Sequence, residues 1–349
     1  AGGMHVLRHG AMRQRVAGLE AVLSDGAVLD RMAGLEKESV GWDLASLLVG
    51  SEGSLAVITA VAIRCVTAPR HRVTALVALG PAAETTPAAP AGPAAPAPGA
   101  PAPAARAPEA HTDSQLGDCV AVGMVLVDEL RRRVDGLEAV EIVSREGMEL
   151  ATAALGLPEP PAAGRASGWL TIEAAGEADP SEQLASVLDG APGVLTVAVA
   201  ADRASRRRLW RYREGQSEAI ATLGIPHKLD ISVPPGRLAT FAADVGTAVR
   251  DVSADARAIC FGHLADGNLH VNVVGPAPDD DAVDDALLRL AVSYGGSVSA
   301  EHGIGVARLD YVSLVRSTAE MAVMRSVKSA LDPAGVLNPG VLIPEPRRP

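Results

Sequence analysis

The chain has 349 residues, 48% hydrophobic and 21% charged, which is enough apolar material for roughly two packed domains. Aromatic residues make up only 2%, so a core has to be assembled mainly from Ala, Val and Leu. With 31 basic against 42 acidic side chains the net charge is −11, which argues against nucleic acid as the main partner, because phosphate binding needs a basic footprint.

Taken in chain order, Gly18 to Met32 ("GLEAVLSDGAVLDRM") carries two apolar runs around Asp25-Gly26, a hairpin signal. Gly41 to Val66 follows as a short helix, a glycine-punctuated loop and an apolar β-branched strand. From about 80 to 111 the chain turns to Pro and Ala; such a tract buries no core and predicts an exposed, semi-extended linker. Beyond it, Leu137 to Ser144, Gly168 to Gly176 and Gly193 to Ala201 read as strands, and Ser181 to Gly190 and Leu209 to Leu223 as helices. His227 to Pro234 ("HKLDISVP") alternates, with Leu229, Ile231 and Val233 on one face and Lys228, Asp230 and Ser232 on the other. Arg237 to Arg250 is helical, and the tail from Asp332 to Gly340 is a loop-rich closing segment. Strands and helices without regular βαβ alternation predict an α+β fold, an antiparallel sheet covered by helices on one face.

Other classes are excluded by what the pattern lacks. Cys65, Cys119 and Cys260 are isolated, with no CxxC pair, so neither a disulfide framework nor a thiolate zinc site is indicated; a reducing, cytoplasmic setting follows. The longest apolar runs, such as Val120 to Val127, fall short of a membrane span, and no signal peptide is visible at the start. The run Arg203 to Glu214 holds six arginines in eleven positions, the pattern of a solvated helix face.

Four stretches carry chemistry. In "FGHLADGNLHVNV" (Phe261 to Val273) an Asp266-Gly267 turn places His263 directly opposite His270 on one sheet face, close enough to share a metal, with Asn272 on the same face. A plain cross-strand histidine pair is the alternative. "GGSVSAEHGIG" (Gly295 to Gly305) sets Glu301 beside His302 among glycines; two histidines and one carboxylate make a catalytic rather than a structural metal set. Arg213 and Ser217, four apart on a helix, share a face, and Lys228 lies on the polar side of the next strand; a fork and a point charge suit a substrate carboxylate. The competing reading pairs Arg213 with an acidic neighbour and leaves Lys228 solvated. The glycine loop "VGSEGSLAVIT" (Val49 to Thr59) exposes amides suited to a pyrophosphate.

Together and in order, "GWDLASLLVGSEGSLAVIT", "LWRYREGQSEAI…HKLDISVP", "FGHLADGNLHVNV", "GGSVSAEHGIG" and "DPAGVLNPG" resemble the FAD-linked D-2-hydroxyacid dehydrogenases of the vanillyl-alcohol oxidase superfamily, over roughly residues 1–79 and 115–343. Small departures are Ser54, Ala56 and Ala265, where Thr, Gly and Gly are usual. The resemblance implies that His263, His270 and Glu301 bind a divalent metal, zinc or manganese, and that His302 is the general base. Arg213, Ser217, Lys228 and Asn272 would hold the substrate, while Gly2, Gly3, Gly50, Ser51, Glu52, Gly53, Ile58 and Asn338 would line FAD. It implies the C-terminal lobe of an FAD-binding domain at 1–79, the linker at 80–111, a substrate domain at 112–320 and a segment at 321–349 returning to the flavin. The activity implied is oxidation of a D-2-hydroxy acid, with electrons passed to a quinone, an electron-transfer flavoprotein or an iron–sulfur partner, in a possible homodimer. The family's first flavin lobe has no counterpart in the sequence, so an incomplete piece unable to hold FAD alone is one alternative. A metal-dependent hydrolase and a flavoenzyme acting on another alcohol are the others.

Overall fold

The computed structural model describes residues 2–35, 37, 39–81 and 113–344. The Pro/Ala tract expected as a linker at 80–111 lies, from residue 82 onward, outside the described residues.

Two single helical turns, α1 (Val6–His9) and α2 (Met12–Arg15), lead into β1 (Val16–Val22). The Asp25-Gly26 turn folds β1 back onto β2 (Val28–Asp30), with Glu20 opposite Asp30, as the hairpin signal predicts. A short helix, α3 (Leu44–Leu48), begins at Asp43, whose carboxylate caps it by accepting from Ser46 N at 3.0 Å. The strand β3 (Val57–Ile63) then completes a three-stranded sheet of order β2-β1-β3.

The larger sheet has seven antiparallel strands. In chain order the elements are β4 (His71–Leu79), α4 (Asp113–Arg133), β5 (Leu137–Ser144), α5 (Arg145–Leu155), β6 (Gly168–Gly176), α6 (Ser181–Leu188) and β7 (Val194–Ala200). They continue with α7 (Arg203–Glu214), α8 (Gln216–Ala221), β8 (His227–Ser232), α9 (Leu238–Val252), β9 (Arg257–His263) and β10 (Asn268–Val274). Last come α10 (Ala282–Ser293), α11 (Val312–Val315) and α12 (Thr318–Leu331). The spatial order of the sheet is β7-β4-β6-β5-β9-β10-β8. Residues 71–79 therefore belong to this sheet and not to the small lobe, which corrects the expected boundary at 79: β4 is buried from Val73 to Leu79, paired on both edges and covered on both faces.

Helices cover both faces rather than the single face expected. On one side Val73, Ile142, Ile172, Ile231 and Val271 pack against Leu126 and Leu130 of α4, Phe241 and Val245 of α9 and Leu287 of α10. On the other, Leu76, Trp169 and Phe261 meet Met148 of α5, Tyr212 of α7 and Ile220 of α8. The second cover reaches β10 only at its last residue, Val274, and does not reach β8, and the polar face of those strands is where the candidate site lies. A third small core joins Leu19, Leu48 and Leu55 of the small lobe to Val327 and Leu331 of α12, which is how the C-terminal helix returns to the N-terminal sheet. Lys328 Nζ reinforces that return by donating to Ser54 O at 2.8 Å and Leu337 O at 2.7 Å. No helix among the described residues is long and apolar enough to cross a membrane.

One buried charge network ties the first segment to the sheet. Glu173, 3% exposed on β6, accepts from Trp210 Nε1 at 2.8 Å and Thr74 Oγ1 at 2.7 Å and pairs with Arg72 and Arg206. Arg8 of α1 donates to Glu138 Oε1 at 2.8 Å and to Ala175 O at 2.6 Å, docking the N-terminal turn beside it. Burial alone would raise the Glu173 carboxyl, but the bonds from Trp210, Thr74 and Arg72 outweigh it and hold the carboxyl below its ordinary range. A depressed folded value means that the stabilisation is present above the unfolded carboxyl value of about 4.3 and is lost as pH falls through the folded value. Glu173→Gln should accordingly cost about 3 kcal/mol in urea unfolding at neutral pH, and its gap to the parent should shrink at pH values below about 4. A gap that stays constant with pH would show that the charge is not what matters at this position.

Candidate active site

The site grows from the register of β9 and β10. His270 pairs with Phe261, not with His263 as the two-residue turn predicts. The connection is instead a 3₁₀ turn over Leu264–Asp266, closed by Gly267 at φ +70°, a left-handed position that suits glycine. This moves the register by two residues. An even shift preserves side-chain parity, so the two histidines stay on one face as diagonal neighbours, with ring centroids 5.2 Å apart and Nε2 atoms 3.4 Å apart.

The third donor comes from the loop after α10. Its position is set by Asp230, which is wholly buried on β8 although the alternation of "HKLDISVP" puts it on the polar strand face. Asp230 Oδ2 accepts from the amides of Ala300, Glu301 and His302 at 3.1, 2.7 and 2.8 Å, and Oδ1 accepts from Asn268 Nδ2 at 2.8 Å. Burial pushes this carboxyl up, but the Glu301 and His302 amides and Asn268 more than offset it and keep the group below its ordinary range, hence ionised. The signal available in the sequence was a lone carboxylate between two core-facing residues, Leu229 and Ile231.

Glu141, 1% exposed on β5, was the other residue missed. Its Oε1 accepts from His263 Nδ1 at 2.7 Å and its Oε2 from Arg213 Nε at 2.8 Å. With Nδ1 so engaged, His263 presents Nε2 to Glu301 Oε1 at 3.1 Å, and His270 Nε2 lies 3.4 Å from the same oxygen. Burial lowers the His263 imidazole, but the bonds to Glu141 and Glu301 outweigh it and raise it to about 9. Burial, followed by the nearby Arg213 and His263, drives His270 down to about 4, and the bond from His263 holds Glu301 below its ordinary range. Two imidazoles and one carboxylate thus converge on a single positive charge.

That convergence fits a metal ion. Bonds of about 2.1 Å to one ion place neighbouring donors about 3.0 Å apart in octahedral and about 3.4 Å apart in tetrahedral geometry. The observed separations are 3.1, 3.4 and 3.4 Å. A second acidic group, His5 with Glu138 and Glu173, also meets the spacing, but Arg8, Arg72 and Arg206 already neutralise its carboxylates, so a cation gains little there.

The remaining expected residues fall into two sets. Arg213 is buried, pairs with Glu141 and lies 4.5 Å over the Phe261 ring, so it does have an acidic partner, and it is part of the histidine network. The helix expected to carry both Arg213 and Ser217 breaks at Gly215, where a Cβ would come within 2.4 Å of Leu155 Cδ1; Ser217 is exposed on α8. Lys228 is exposed and is the cross-strand partner of Asn272, whose side chain is buried and donates to Ile259 O at 3.4 Å. His302 is exposed and stacks on His270 at 5.6 Å, with Nδ1 3.9 Å from Asp230 Oδ2.

Among the residues expected to line a flavin, Gly2 lies against Glu301, since a Cβ there would come within 2.9 Å of Oε2. Gly50, Ser51 and Glu52 share a cavity of about 750 Å³ with Glu301 and His302. Gly53 adjoins Asn338, whose Nδ2 donates to Glu52 O. Gly3 takes φ +125° with no side chain near it, and Ile58 sits half-exposed on β3 away from that cavity. Of the eight positions, Gly2, Gly50, Ser51 and Glu52 thus lie beside Glu301 and His302, and Gly3, Gly53, Ile58 and Asn338 do not line that cavity.

Comparison with known proteins gives the family and the fold. Residues 118–342 match the family of FAD linked oxidases, C-terminal domain. D-2-hydroxyglutarate dehydrogenases from Danio rerio and Bos taurus are 30% and 32% identical over 99% of this chain, and the bacterial one from Xanthomonas citri is 32% identical over 98%. The alignments take in 58%, 57% and 66% of those proteins, so the chain spans less than two thirds of their length. A 4-ethylphenol oxidase from Gulosibacter chungangensis shares the fold at TM-score 0.63 and 15% identity, covering 99% of this chain and 70% of that one. An alkyldihydroxyacetonephosphate synthase does so at TM-score 0.56 and 14% identity, covering 97% and 56%. With the domain match running from α4 past α12, the chain belongs to the FAD-linked oxidases, and its relatives within them are D-2-hydroxyglutarate dehydrogenases.

Proposed function

We propose that this chain supplies the substrate side of an FAD-dependent enzyme that oxidises a D-2-hydroxy acid to the 2-oxo acid with the help of a divalent metal, zinc or manganese. The observation that carries the reading is the His263, His270 and Glu301 triad, at metal-edge spacing within an FAD-linked oxidase domain. The relatives' names point to D-2-hydroxyglutarate, and a dicarboxylate suits a site that offers both Arg213 and Lys228.

A divalent ion at the triad supplies Lewis acidity toward the substrate hydroxyl. FAD, when bound, supplies the hydride acceptor and passes electrons to an external acceptor such as a quinone, an electron-transfer flavoprotein or an iron–sulfur partner. Glu141 keeps the His263 Nδ1 proton occupied, so Nε2 is the ligand atom. His302, with Nδ1 turned toward Asp230, has Nε2 free to receive the hydroxyl proton, and its exposure gives the proton a way out. Arg213, steadied by Glu141 and the Phe261 ring, has guanidinium nitrogens left for a carboxylate, and Lys228 and Asn272 extend the polar face beside it. Gly2, Gly50 and Ser51, which lie beside Glu301 and His302, would form the flavin side.

Metal analysis of the purified chain should find about one zinc or manganese per chain, lost in His263→Ala. Metal-free parent protein would overturn the triad assignment. Anaerobic addition of D-2-hydroxyglutarate to the FAD-loaded enzyme should bleach the flavin's visible absorbance, and prior chelation should abolish the bleaching; equal bleaching by the L-enantiomer would contradict the substrate reading. Arg213→Lys, which keeps the charge but not the fork, should raise KM for the hydroxy acid about 10- to 100-fold with a smaller change in kcat, the loss expected for one charged hydrogen bond of about 1.5–3 kcal/mol. An unchanged KM would remove Arg213 from the substrate's partners.

A further inference from the structure

We propose that Glu52 is a positioning residue for the Glu301–His302 loop: its carboxylate reaches from the glycine loop of the small lobe and clamps the backbone just beyond those two residues. The importance of the clamp rests on the site reading above, but the contact itself does not. Glu52 Oε1 accepts from Ile304 N at 2.9 Å and Oε2 from Gly305 N at 2.7 Å, so both oxygens are committed to consecutive amides. The sequence places Glu52 against a flavin; the geometry instead points its carboxylate at protein backbone.

Two features show that the contact is built in. Glu52 holds φ +52°, a left-handed conformation that is unfavourable for a side-chain-bearing residue and persists only where the surroundings fix it. Here Asn338 Nδ2 donates to Glu52 O, and the buried neighbour Ser51 accepts through its carbonyl from Ser54 N at 2.9 Å. On the other side, Gly303 stands where a Cβ would lie 2.8 Å from Glu52 Oε1 and 3.0 Å from its Cδ, so any larger residue would push the carboxylate off its amides.

The loop is therefore held at both ends by carboxylates. Asp230 takes the amides of 300–302 from below, and Glu52 takes those of 304 and 305 from the small lobe. Glu301 and His302 sit at the Asp230 hold and just ahead of the Glu52 hold, and Glu301 Oε1 has to stay within 3.1 Å of His263 Nε2 and 3.4 Å of His270 Nε2. With only the Asp230 end fixed, the 303–305 turn that follows them is released, and the Glu301 and His302 side chains lose part of the frame that sets their direction. Glu52 thereby couples the lobe expected to carry the flavin to the lobe that carries the base and the metal donors.

The test compares Glu52→Ala and Glu52→Gln with the parent chain by amide hydrogen exchange and by titration with Co²⁺, whose visible spectrum reports ligand geometry. Glu52→Ala should speed exchange at Ile304 and Gly305 at least about tenfold while β5 and β6 amides stay protected, and should weaken Co²⁺ binding about 10- to 100-fold with an altered spectrum. Glu52→Gln, which keeps one acceptor oxygen, should fall in between. Parent-like exchange in Glu52→Ala overturns the clamp, and faster exchange with parent-like Co²⁺ affinity and spectrum overturns the positioning role. If the parent chain itself takes up no Co²⁺, the metal reading fails separately. The decision then passes to the His263 imidazole ¹⁵N resonances, which sense the Glu301 contact: a shift in Glu52→Ala supports positioning, and unchanged resonances overturn it.

Discussion

Three consecutive amides, those of Ala300, Glu301 and His302, converge on one oxygen of Asp230, a carboxylate with no exposure to solvent. Burying an ionised carboxylate is expensive unless every lone pair finds a donor, and here four donors from two segments meet the need. That requirement decides where the loop after α10 can go. The loop has few bulky residues to pack and several glycines that free its backbone, so the charge at the floor of the sheet, rather than a hydrophobic contact, is what brings Glu301 over the two histidines.

The same economy of charge runs outward from that floor. Glu141 divides its oxygens between His263 and Arg213, which fixes a ring tautomer and a guanidinium at once. Arg213 and Glu141 are nearly dry, so the loss of either leaves the other as an uncompensated buried charge. The histidine pair is consequently asymmetric: His263 is bonded to two carboxylates, whereas His270 is more affected by burial and by the nearby Arg213 and His263 than by Asp230 and Glu301.

The sheet supplies the rigidity this arrangement needs. Val, Leu, Ile and Ala fill most of its first face, with Phe241 the fully buried aromatic ring there among the described residues and Tyr294 and Tyr311 at its margin, and β4 is drawn in from the N-terminal segment to complete it. On the second face the apolar cover ends at Phe261, whose ring touches both Arg213 and His270. Hydrophobic packing and the polar site thus meet along one strand pair, and the small lobe closes over them through Glu52, Asn338 and α12.

Much was legible in the sequence. The strict alternation of "HKLDISVP" gave β8 and its core face, because a half-buried strand needs period two; the apolar runs at 137–144 and 168–176 gave β5 and β6 to the residue. The types of the donors, two histidines and a Glu-His pair among glycines, also stood out, since few other roles call for those residues together. The tertiary structure decided the rest. Whether "LADG" makes a two-residue or a longer turn depends on how Gly267 and β8 pack, so the register was open to a shift of two. The second layer of helices, the entry of β4 into the larger sheet and the roles of Asp230, Glu141 and Glu52 all rest on partners distant in the chain, 72 residues away for Asp230 with the His302 amide and for Glu141 with Arg213, and 252 for Glu52 with Ile304. Local pattern records which face a side chain occupies, but only the folded chain determines which distant donor meets it there.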